Sequence, residues 1–128
     1  MSLLSAKMTV NSVVGAYSTR WEWPRISQRL EQAGIAFDHQ FTEGLGHAIE
    51  LAKLTADDGY RHVVAVGGDG TVSEVINGLL SSDSGDVALG VIGTGTGCDF
   101  IRSVGIPSHW DNACTSLANS DRRLLMWA

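Results

Sequence analysis

Apolar runs of strand length alternate along the chain with stretches whose apolar positions recur every three or four residues. Lys7 to Val14 predicts a first strand running into Gly15. Ile26, Leu30 and Ala33 are spaced for one helix face, with Pro24 in the first turn and Gly34 as the stop. From Ile35 to Phe41 the period changes to two, which puts Ile35, Phe37, His39 and Phe41 on one side of a strand. His47 to Asp57 again reads as a helix, with Ala48, Leu51, Ala52 and Thr55 inward and Gly59 ending it. Val63-Val64-Ala65-Val66 is short, continuous and β-branched, the pattern of a strand covered on both faces. Thr71 to Leu80 predicts the next helix and Val87 to Ile92 the next strand. Beyond them come a short helix from about Asp99, a helix over Trp110 to Asn119 and a departing strand over Arg123 to Trp127. Ser81 to Asp86 is the segment expected to be an exposed flexible loop.

Strand and helix alternating in this way predict an α/β domain of three layers, a mostly parallel sheet with helices on both faces. The 128 residues suffice for one domain with a core of its own. A charged fraction of 18% against 44% apolar residues fits a well-packed globular protein, and 15 glycines against 2 prolines suit tight turns and backbone-lined sites. The formal charge of −5 and the lack of a basic stripe exclude a general nucleic-acid binder. No apolar run approaches the roughly 20 residues of a membrane span, and the first residues lack a signal-peptide core, so the expected compartment is the cytoplasm. Cys98 and Cys114 form neither a CxxC pair nor a dense framework and are expected as small buried side chains.

Two glycine loops carry the chemistry. The predicted strand ending at Val66 delivers the chain to Gly67-Gly68-Asp69-Gly70-Thr71, and a helix follows. Loops after the carboxyl ends of strands are the ligand sites of open parallel sheets. Glycines let backbone amides come close to an anion, and a helix start adds free N–H groups and the positive end of its dipole. The loop therefore reads as a phosphate cradle. Thr71-Val72-Ser73-Glu74 also fits a capping box, in which Thr71 and Glu74 merely finish the helix end. An aspartate inside a phosphate cradle is repulsive unless a metal ion or a proton intervenes. Asp69 is thus a candidate metal or water ligand, or the base for an attacking hydroxyl.

Familiar nucleotide motifs are absent. A P-loop needs a lysine after its last glycine, yet the only lysines are Lys7 and Lys53. Gly93-Thr94-Gly95-Thr96-Gly97 is followed by Cys98 and misses the last glycine of a dinucleotide fingerprint. Amides, hydroxyls, a metal ion and Arg102 are left to neutralise phosphate charge.

The stretch from Val63 through Gly67-Gly68-Asp69-Gly70-Thr71 to Glu74-Val75-Ile76-Asn77-Gly78-Leu79 resembles the signature of the diacylglycerol kinase catalytic domain family, which includes bacterial lipid kinases and the sphingosine and ceramide kinases. The GGDGT core is shared with NAD kinases and the wider phosphofructokinase-like group, whereas the trailing ExxNGL is more specific to lipid kinases. Gly90 to Arg102 is similar to the family's second loop, Asn11 to Gly15 to its opening loop, and Phe41 to Ala48 to its threonine-bearing segment. Three positions depart from the family pattern: Ser12 and Gly93 stand for prolines, and Cys98 stands for an asparagine.

The resemblance implies a phosphofructokinase/NAD kinase-like nucleotide-binding domain over residues 7–120, with residues 1–6 a tag or disordered start. Residues 121–128 would begin a linker to a C-terminal β-rich lipid-binding domain. It also implies phosphoryl transfer from ATP with Mg2+ to a lipid hydroxyl, with peripheral membrane contact and homo-oligomers compatible with that activity. Asn11, Ser12, Val13, Val14, Gly15 and Thr42 would line the nucleotide. Gly67, Gly68, Asp69, Gly70, Thr71, Val72 and Ser73 would wrap the phosphates, joined by Thr96 from the second loop, and Asp69 would be the catalytic or magnesium-linked acid. Asp99 is expected to cap its helix. The alternatives are an NAD kinase-like enzyme and a nucleotide-binding module without catalysis.

Other candidates have plainer readings. His47 and Glu50 lie three apart on a predicted helix, but no third ligand is at hand for a metal. His39 is expected as a packed, hydrogen-bonded histidine. Trp21, Trp23, Trp110 and Trp127 are expected as packing residues, and Arg122 and Arg123 as solvated.

Overall fold

The computed structural model describes residues 5–11, 17–83 and 87–94. In chain order these form β1 (Ser5–Val10), α1 (Tyr17–Gln32), β2 (Ala36–Phe41), α2 (His47–Asp57), β3 (His62–Gly67), α3 (Asp69–Leu80) and β4 (Ala88–Gly93). The four strands pair in parallel in the order β2-β1-β3-β4. The expected α/β architecture is therefore what the chain adopts. The helices expected beyond Asp99, the strand near Trp127, and Cys98, Cys114, Arg102, Trp110, Arg122 and Arg123 lie outside the described residues.

Register explains the two cores. Phe41, Val10, Val66 and Ile92 are aligned across the four strands, and His39, Met8, Val64 and Gly90 form the next such row. Side chains alternate between faces along each strand. Met8, Val10, Val64, Val66 and Ile92 consequently pack with Trp23, Ile26 and Leu30 of α1. Val63, Ala65, Leu89 and Val91 point the other way and pack with Ala48, Ala52 and Ala56 of α2 and Val72, Val75 and Leu79 of α3. The sheet lies between one helix and a pair of helices, which gives the three layers.

Three expectations shift. β1 begins at Ser5, two residues before the boundary expected at Lys7, because Ala6 is fully buried opposite Phe37 of β2. α1 begins at Tyr17, so Pro24 lies inside the helix rather than in its first turn. A proline there removes one helical hydrogen bond, but Pro24 faces solvent while its neighbour Trp23 is buried on the sheet. Packing of Trp23, Ile26 and Leu30 carries the helix past it. His39 is exposed and not enclosed, because β2 is the rim strand of the described sheet. Its ring still packs on Trp23 at 5.1 Å and on Phe41 at 5.3 Å, as the period-two pattern implies.

On the opposite face the rim strand is tied down by a polar contact. The Tyr60 hydroxyl donates to Asp38 Oδ2 at 2.6 Å, and Lys7 Nζ lies 5.5 Å from the Tyr60 ring centre. The hydrogen bond to the Asp38 carboxylate holds the Tyr60 phenol above its usual pKa.

Helices α2 and α3 approach closely because the contact is built from small residues. A Cβ added at Gly78 would lie 2.3 Å from the Ile49 carbonyl oxygen and 2.8 Å from Ala52 Cβ. Among the described residues no helix is long and apolar enough to cross a membrane.

Candidate functional site

β1 and β3 are neighbours, yet the helices that follow them leave on opposite faces of the sheet. Adjacent parallel strands whose connections part in this way leave a crevice at their carboxyl ends, the usual ligand position of open α/β sheets. Asn11 and Gly67-Gly68-Asp69 stand at that point.

Hydrogen bonds beyond the strands hold the four ends in line. The Asn11 amide donates to Val66 O at 3.0 Å, the Thr42 amide to Val10 O at 2.9 Å and the Thr94 amide to Gly67 O at 3.1 Å. Thr42 Oγ1 donates to Asn11 Oδ1 at 3.3 Å. Thr19 Oγ1 and Thr94 Oγ1 are hydrogen-bonded to each other, joining the start of α1 to the end of β4. Thr19, Thr42, Thr71 and Thr94 are all buried. The strand ends are thus cross-linked by main chain and hydroxyls.

The glycines of the central loop serve different purposes. A Cβ at Gly67 would approach Thr71 Oγ1 to 2.7 Å and Asn11 Cβ to 3.1 Å, so Gly67 is required by packing. A Cβ at Gly68 or Gly70 would meet no protein atom within 4 Å. Gly68 has φ −99° and ψ −166°, an extended conformation that any residue adopts. Neither the chain's conformation nor its packing demands a glycine at these two positions. What glycine provides there is open space directly over the backbone.

α3 starts at Asp69 with Gly68 as its N-cap, three residues before the N-cap that the capping-box pattern suggests at Thr71. Val72 closes the first helical hydrogen bond, to Gly68 O at 3.1 Å. The amides of Gly70 and Thr71 precede that bond and lie at the positive end of the helix dipole. Asp69 occupies the first turn, half-buried, with its Oδ1 shielded from solvent. A carboxylate is thereby placed at the end of the helix that also suits an anionic ligand.

Several sequence expectations change here. Thr71 is not an N-cap, since its hydroxyl is turned under the loop toward Gly67. Glu74 does not complete a capping box, because its Oε2 accepts the Gly46 amide at 3.1 Å, 28 residues away. Val72 is buried in the core and its amide donates to Gly68 O within the helix. Ser73 is exposed on the outer side of the first turns. His47 Nδ1 accepts the Glu43 amide at 2.8 Å, a local bond at the start of α2. Ser12, Val13, Val14, Gly15, Thr96 and Asp99 lie outside the described residues. The buried Thr19–Thr94 pair gave no sequence signal, because two threonines 75 positions apart belong to no local pattern.

Residues 5–126 match the sequence profile of the family described as the diacylglycerol kinase catalytic domain. The chain belongs to that family. A diacylglycerol kinase of Bacillus subtilis strain 168 is 37% identical over 102 residues, covering 80% of this chain and 33% of that protein. One from Staphylococcus aureus strain MRSA252 is 35% identical over 103 residues, covering 80% of this chain and 32% of the relative. The crystal structure of a diacylglycerol kinase from Bacillus anthracis strain Sterne superposes with a TM-score of 0.77 at 25% identity, over 92% of this chain and 40% of that one. The chain spans about one third of the length of the curated relatives it matches. In family terms, the GGDGT loop described here is the part of the diacylglycerol kinase signature that carries the open space, and ExxNGL is the part engaged with α2.

Proposed function

We propose that this chain is the nucleotide-binding part of an ATP-dependent lipid kinase and that Gly68-Asp69-Gly70 receives the phosphates of ATP with Mg2+. The observation that carries the reading is the pair of glycines whose Cβ positions are empty and whose conformations do not require glycine. Space over backbone amides at a helix N-terminus suits a phosphate group. Family membership supplies the acceptor class, since the relatives are named for diacylglycerol.

In the reaction the oxygen of a lipid hydroxyl attacks the γ-phosphorus, the bond to the β–γ bridging oxygen breaks, ADP leaves, and the hydroxyl proton passes to a base. The protein's share is to position these groups and to offset their charge. Amides of the first α3 turn hold phosphate oxygens. Asp69 would either accept the hydroxyl proton or help to hold Mg2+, and its negative charge is needed for the first role and strengthens the second. When bound, the metal ion supplies charge neutralisation that the loop, without a lysine, does not. Asn11 and Thr42 face the ribose or base, with Ser12 to Gly15 and Thr96 closing the site by family resemblance. A cytoplasmic enzyme touching the membrane surface only through its lipid acceptor fits this reading.

Calorimetric titration tests it. Wild-type protein should bind ATP in the presence of Mg2+ with a dissociation constant between about 1 μM and 1 mM, and more weakly when Mg2+ is withheld. Gly68→Val should weaken binding at least about tenfold by filling the space an anion would use, while its thermal midpoint stays near wild type. Folded wild-type protein that gives no heat with ATP would end the proposal.

A further inference from the structure

Glu74 is the acidic residue of the ExxNGL part of the signature, and the helix-capping role its spacing suggests is not the one it plays. Its carboxylate reaches from α3 to the Gly46 amide. Gly46 is the N-cap of α2, held at φ 83°, a left-handed conformation that favours glycine. It begins α2 without a side-chain cap bond of its own. The segment Thr42–Gly46 connects the end of β2 to α2 and is therefore anchored twice. At Thr42 it is bound to Val10 O and Asn11 Oδ1, and at Gly46 to Glu74.

We propose that Glu74 is a positioning residue for nucleotide binding, one that sets the Thr42–Gly46 loop relative to the phosphate cradle. The inference rests on the nucleotide-binding reading above. One rigid helix presents both parts: its first turn is the cradle, and Glu74 follows five residues after Asp69. β2 lies two strands from β3 in the sheet, about 9–10 Å at the usual strand spacing. A ligand with phosphates over β3 and the length of a nucleotide reaches the end of β2. Between the two anchors lie Glu43, Gly44 and Leu45. The Glu43 amide is fixed by His47 Nδ1, while the Leu45 side chain, 91% exposed, projects from the ligand edge of the sheet. The loop is ordered within itself, and the charge-assisted bond to Glu74 determines where it stands.

The test uses this chain, ATP with Mg2+, and three variants, with thermal midpoints measured for each. Glu74→Ala removes the acceptor and should weaken ATP binding about five- to tenfold. Glu74→Asp keeps the charge but shortens the reach, and should lose a similar amount. Glu74→Gln still presents an oxygen to the Gly46 amide and should stay within about twofold of wild type. Hydrogen exchange at the Gly46 amide should quicken in Glu74→Ala and Glu74→Asp but not in Glu74→Gln. If Glu74→Ala does not fold, Glu74→Asp decides the matter. Folded Glu74→Ala or Glu74→Asp protein that binds ATP as wild type does would overturn the inference, as would an equal loss in Glu74→Gln. Absence of ATP binding by the wild type would instead overturn the reading beneath it.

Discussion

Replacing Asp69 with asparagine is expected to reduce turnover at least about 100-fold in an enzyme that joins this domain to the remaining length found in its relatives. Asparagine keeps the size and one carbonyl oxygen, so whatever is lost is lost with the negative charge. Asp69 lies in the first turn of α3, beside the amides proposed to hold phosphate, and its Oδ1 is shielded from water. A carboxylate next to phosphate oxygens serves as a base or a metal ligand; amidation abolishes the first function and, by removing the charge, weakens the second. The fold should be little affected: removing a charge from a helix N-terminus costs about 0.3–1 kcal/mol. The checks are a phosphorylation assay with mixed lipid micelles and a thermal melt on the same preparations. Turnover within a few-fold of wild type, on folded protein, would reduce Asp69 to a residue that serves the helix end alone.

Gly78→Ala should have the opposite profile, a large loss of stability with no change in chemistry per folded molecule. The added methyl would begin 2.3 Å from the Ile49 carbonyl oxygen, and a backbone atom in the first turn of α2 cannot rotate away as a side chain can. Alanine's better helix propensity returns about 1 kcal/mol. Overpacking of this kind typically costs about 1–3 kcal/mol, and a contact with backbone belongs at the upper end. For a domain of this size a loss of about 2 kcal/mol lowers the thermal midpoint by roughly 10 °C. Gly70→Ala is the matched control, since its Cβ meets no protein atom within 4 Å. A Gly78→Ala midpoint equal to that of Gly70→Ala would mean that α2 and α3 separate at little cost.

Much of this architecture was legible because local and tertiary preferences agree. α2 is read from the sequence with both ends in place: four inward positions recur on one face, and glycines stand before His47 and after Asp58. The short β-branched run of β3 and the period-two run of β2 are equally plain. Legibility fails where a tertiary contact overrides a local signal. Pro24 suggests a helix start, but burial of Trp23 outweighs one missing hydrogen bond. Thr71 and Glu74 have the spacing of a capping box, yet the Thr71 hydroxyl occupies the space beside Gly67 and Glu74 accepts the Gly46 amide. Within the candidate site, the glycine loop is visible in the sequence. The ladder of threonines that locks the strand ends together is not, because its members are distant in the chain.

Thr71, Glu74 and Gly78 answer to contacts inside the protein, whereas a Cβ at Gly68 or Gly70 would meet no protein atom within 4 Å. Natural selection can therefore release the two groups at different times. A lineage that ceased to transfer phosphate would be free to substitute the second group at once, while the first would persist for as long as the protein folded. Its sequence would go on resembling a kinase along most of this stretch after the activity had gone. The identity of these two glycines, rather than the overall likeness of the motif, is what distinguishes a working descendant from a retired one.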